Sequence, residues 1–69
     1  MREELEKYLG KIVCLSLPQG NTFGQLAANE DKSLFGFANI GFPPEKVKEI
    51  VPIEVEEGKN LARATIVLE

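Results

Sequence analysis

The apolar residues of this 69-residue chain come in short runs, and turn-forming residues stop each of them. Residues 11–17 run into Pro18-Gln19-Gly20-Asn21, and residues 34–40 run into Gly41-Phe42-Pro43-Pro44. Between them, residues 22–28 end at the polar stretch Asn29-Glu30-Asp31-Lys32-Ser33. Proline pre-sets one turn dihedral and glycine permits the left-handed one, so these interruptions read as turns. Inside the runs the period is two: Val13, Leu15 and Leu17 alternate with Ile12, Cys14 and Ser16. A chain patterned this way is confined to short strands.

Two segments depart from that pattern. Over residues 1–9, Met1, Leu5, Tyr8 and Leu9 fall at helical spacing, with Glu3, Glu4 and Glu6 near the positive end of the helix dipole and Gly10 placed to end it. Pro44 suits the first position of a one-turn helix over residues 45–50, which would turn Val47 and Ile50 inward. A fourth strand would follow with Val51, Ile53 and Val55. Pro52 within it lacks a ladder donor, which predicts an edge or a bulge. Residues 56–60 form a hairpin-length loop, and residues 61–68 a last strand with Ala62, Ala64, Ile66 and Leu68 on one face. The reading is a single domain over residues 1–69, mainly β (α+β). A short N-terminal helix precedes a small antiparallel β-barrel or strongly bent five-stranded sheet, with a one-turn helix before strand 4. Gly24 and Gly36 would supply the bends.

Composition narrows the chemistry. There is no histidine and only one cysteine. The usual general base near neutral pH, a Cys–His nucleophile pair and a sulfur- or nitrogen-rich metal site are all missing. A non-enzymatic role is expected, with no catalytic residues, no cofactor and no metal. Carboxylates meeting at a subunit interface are the remaining route to catalysis. Glu54, Glu56 and Glu57, with Glu30 and Asp31, could gather around a hard cation, but they read better as solvated loops. The net charge of −3 and the interleaving of lysines with glutamates argue against duplex DNA. No apolar run approaches membrane length. A lone thiol and a charged N-terminus point to the cytoplasm. A 69-residue domain without disulfides has a marginal core, which favours self-association, most simply as a dimer.

The aromatic residues give the candidate partner-binding set: Phe35, Phe37 and Phe42. Phe35-Gly36-Phe37 places two rings on one face of a strand, which would make a stacking platform for single-stranded RNA if exposed and core if not. Phe42, before Pro43-Pro44, would present an aromatic corner to a protein partner or tuck over the core.

Residues 9–20, LGKIVCLSLPQG, after a short helix and before Phe23-Gly24-Gln25-Leu26, resemble the opening of Sm-like RNA-binding proteins. The likeness covers about half the chain and implies a small barrel that binds single-stranded RNA. The chain departs from that pattern in its polar loop, which has Asp31 but no base-contacting asparagine. It departs again in its last strand, where Leu61-Ala62-Arg63-Ala64 replaces an Arg-Gly motif. No binding residue transfers. The expectation is therefore a self-associating, protein-binding module, with a Sm-like or OB-like single-strand binder as the alternative.

Overall fold

The computed structural model describes residues 1–54 and 61–69. Val55 and the loop expected over residues 56–60 lie outside them. In chain order the elements are α1 (Arg2–Glu6), β1 (Ile12–Leu17), β2 (Gly20–Gln25), β3 (Ala27–Ala28), β4 (Phe35–Phe37) and β5 (Ile40–Phe42). A 3-10 turn (Pro44–Lys46), β6 (Val47–Pro52) and β7 (Ala64–Leu68) follow.

The strands form two sheets, which overturns the barrel and the single five-stranded sheet. One sheet has four strands in the order β2-β1-β7-β6; the other is the meander β3-β4-β5. The β1–β7 pair is parallel, with Leu15 beside Ile66, so the all-antiparallel expectation also falls. Local pattern shows which residues are strands, but not that the first and last strands meet side by side.

Four of the expected boundaries moved for physical reasons. The helix is shorter than residues 1–9, because Lys7, Tyr8 and Leu9 each donate to the carbonyl three residues back. That tightens the last turn, and Gly10 at φ 80° then turns the chain out. The strand expected over residues 22–28 breaks at Leu26. Its N–H donates to Lys11 O and its carbonyl accepts from Gly10 N, so it is pinned at the corner where the chain passes between sheets. The strand expected over residues 34–40 is instead half of a hairpin that reverses at Ala38-Asn39, pairing Phe37 with Ile40. Similarly, the helix expected over residues 45–50 is only the 3-10 turn, and Val47 already belongs to β6.

Ala38 takes φ 53°, the sign that tight hairpin turns demand at the first central position. Left-handed backbone costs an L-residue ~1–2 kcal/mol, and glycine's extra unfolded-state entropy returns ~0.4–1 kcal/mol of that. Ala38→Gly should therefore stabilise the fold by ~0.5–1 kcal/mol, read as a higher urea midpoint with an unchanged slope.

The core joins every layer. Leu5 of α1 packs with Val13 and Leu15 of β1, Leu26 at the corner, Phe35 and Phe42 of the meander, Val47 of β6, and Ile66 and Leu68 of β7. The inner face of the four-stranded sheet is thus covered by the helix and the meander. Loop 29–34 closes one end: Asn29 Oδ1 accepts from the Ser33 and Leu34 N–H groups at 2.9 and 3.1 Å. Lys32 ties the loop to α1 through Glu6 at 2.9 Å.

Candidate interaction surface

The outer face of the four-stranded sheet carries a row that crosses all four strands. Phe23 stands opposite Cys14 in the β1–β2 hairpin. Cys14 lies beside Thr65 on β7, and Thr65 faces Val51 on β6. Paired residues project to the same side of a sheet, so these four share the face opposite Val13 and Leu15. Phe23 is 65% exposed, and Val51 and Ile53 are also exposed, while Cys14 between its neighbours is 5% exposed. Apolar surface therefore remains on this side after the other side has been packed.

The two edges of the sheet are treated differently. The β6 edge has Lys48, Glu49 and Pro52, and its register shifts between Val47 and Glu49. Charge, proline and bulge are the usual guards against unwanted strand pairing. Pro52 on this edge strand deprives the ladder of nothing on its open side. The β2 edge, Gly20–Gln25, has no charged residue and no proline. Leu26 N–H donating to Lys11 O sets the phase of the hairpin. With that phase, the hydrogen-bonded pairs are Val13–Gly24, Leu15–Thr22 and Leu17–Gly20. The backbone N–H and C=O groups of Asn21, Phe23 and Gln25 therefore point away from β1, along the open edge.

At one end of this face lies a cleft of about 630 Å³, whose lining among the described residues is Lys11, Phe23, Gln25, Leu61 and Arg63, with Gly10, Ile12 and Gly24. Gln25 Nε2 donates to Gly10 O at 2.8 Å, which fixes the amide. Among the described residues, no acidic side chain lines the cleft. A larger depression of about 760 Å³ near α1 also holds cations, Arg2 and Lys32, but Glu3 and Glu45 share its lining. Lys32 is in addition engaged by Glu6, whose carboxyl this hydrogen bond holds below its usual range. That depression has no excess of one charge to offer a ligand.

The expected partner-binding residues do not stand on this face. Phe35 (1% exposed) and Phe42 (4%) face each other across β4–β5 inside the core. Phe37 is half-buried with its ring over Gly24, where an added Cβ would lie 2.5 Å from the ring. The exposed ring is Phe23, which the reading of the aromatic residues missed. Its signal was the hairpin register: with Leu17 facing Gly20 across Pro18-Gln19, Phe23 must face Cys14 and share its side.

Of the suggested cation ligands, Asp31 accepts from Ser33 N at 3.1 Å, and bonding to Ser33 lowers its pKa. Glu56 and Glu57 lie outside the described residues. Among the described residues, no group of three His, Cys, Asp or Glu side chains is placed to hold a metal ion. No helix among them is long and apolar enough to cross a membrane. The chain matches no family model, no curated protein and no solved structure.

Proposed function

We propose that this chain is a small, non-enzymatic interaction module that works by strand pairing, with a second copy of itself as the partner. The observation that carries the reading is the contrast between the guarded β6 edge and the unguarded β2 edge of one sheet. Antiparallel pairing of β2 with its symmetry mate would satisfy the outward backbone groups of Asn21, Phe23 and Gln25 in both copies. It would also join two four-stranded sheets into one and extend a core that is small for a lone domain. A cytoplasmic setting goes with this reading, because Cys14 is an unpaired thiol.

Light scattering over a concentration series should show a mass twice the 7.6 kDa of the chain. Asn21→Pro removes one outward donor, and Phe23→Lys places a charge in the middle of the edge. Both should return the mass to that of one chain and lower the melt of a concentrated sample to that of the dilute wild-type chain, with the β-sheet circular dichroism spectrum retained. A wild-type chain that stays monomeric throughout the micromolar range would refute the proposal. A dimer that persists in both variants would refute the β2 edge as its site.

A further inference from the structure

We infer that the cleft at the Lys11 end of the outer sheet face is a binding site for a nucleoside phosphate, its base on Phe23 and its phosphate between Lys11 and Arg63. Three features of the cleft converge on that chemistry. Among the described residues its charged lining is Lys11 and Arg63, both cations, and neither is in an ion pair there. They offer an anion a positive site on an otherwise acidic chain. Beside them stands a phenylalanine ring that is 65% exposed, a flat apolar surface of the kind on which bases stack. The third feature is Gln25. Its amide nitrogen is already donating to Gly10 O, which leaves the side-chain oxygen as a fixed acceptor for a base N–H.

An inorganic anion would use only the cations, and an uncharged ring only Phe23. A nucleoside phosphate uses all three features, and a volume of about 630 Å³ accommodates one such unit. The same unit could come as a free nucleotide or as one residue of a single strand. Edge pairing uses the backbone groups of β2 and the site uses the Phe23 ring on the sheet face, so a backbone substitution such as Asn21→Pro separates the two.

Amide-resolved NMR titrations of the full chain with uridine monophosphate, a short oligothymidylate and inorganic phosphate test the site. The nucleotide and the strand should move the Lys11, Phe23, Gln25 and Arg63 signals, and phosphate alone should bind far more weakly. Phe23→Ala should weaken both nucleic ligands ~tenfold or more. Its melt should hardly change, since the ring is mostly in solvent. Affinity for the strand should fall with salt at a logarithmic slope of about −0.7 for the one neutralised phosphate, and Arg63→Gln should flatten that slope. A strand that binds much more tightly than the mononucleotide identifies single-stranded nucleic acid as the source, and equal affinities identify the free nucleotide. Asn21→Pro should bind as the wild type does, so loss of the dimer and loss of this site are separable. Unmoved cleft signals would overturn the inference. So would phosphate binding as tightly as the nucleotide, or an affinity unaffected by Phe23→Ala.

Discussion

Gly36→Ala should remove ~3 kcal/mol or more of stability, through backbone strain and a clash that no rotamer can relieve. Gly36 is buried in the middle of β4 at φ 148°, a conformation that side chains rarely adopt. A Cβ built there would lie 2.0 Å from Ile40 O and 3.2 Å from Gly41 Cα. Both neighbours are backbone of the paired strand, so relief requires the β4–β5 hairpin to open. Opening it pulls apart Phe35 and Phe42, which face each other one step away. A domain of this length holds only about 3–10 kcal/mol in total, so a urea melt of the alanine variant should show little folded baseline. A midpoint close to that of the wild type would show that the hairpin does not hold the fold together.

Phe35→Ala comes next, at ~3–5 kcal/mol, the usual cost of emptying a buried phenylalanine site. Phe35 is the largest fully buried side chain, and it shares the core cluster with Leu5, Leu15 and Leu26. The cavity would open between the meander and the four-stranded sheet, whose facing surfaces meet through side chains. Phe37→Ala is the useful comparison. That ring is half-buried over Gly24 rather than enclosed, so its removal should cost clearly less. Equal losses at the two positions, measured by the same melts, would contradict the burial difference between them.

What the sequence revealed and what it hid follow from the range of the forces involved. The run at residues 11–17 is a strand because its alternation fits a pleat with both faces occupied, and β1 (Ile12–Leu17) fills it. The reversal at Ala38-Asn39 was hidden, because alanine is not a turn residue. Phe35 and Phe42 in the core hold it there despite its positive φ. The parallel meeting of β1 and β7 was hidden for a different reason: the strands are far apart in sequence and carry no local mark of pairing. Phe35 and Phe37 stand two apart on one strand, and that spacing alone does not say whether their side is covered. Which face a strand buries depends on what packs on it, and the meander turned Phe35 inward. Phe23 was open to prediction through the hairpin register alone, since a two-residue turn between Leu17 and Gly20 fixes every facing pair up to Ile12 and Gln25.

Amide hydrogen exchange at Asn21, Phe23 and Gln25 reads the proposed pairing of the β2 edge with a second copy. These three N–H groups point away from β1 and have no partner among the described residues, whereas those of Thr22 and Gly24 are bonded to β1. If the edge pairs, the three amides should be protected at high protein concentration and should lose that protection on dilution. Thr22 and Gly24 should stay protected at both concentrations. Fast exchange of Asn21, Phe23 and Gln25 at every concentration, in a sample whose Thr22 and Gly24 are protected, would contradict the account.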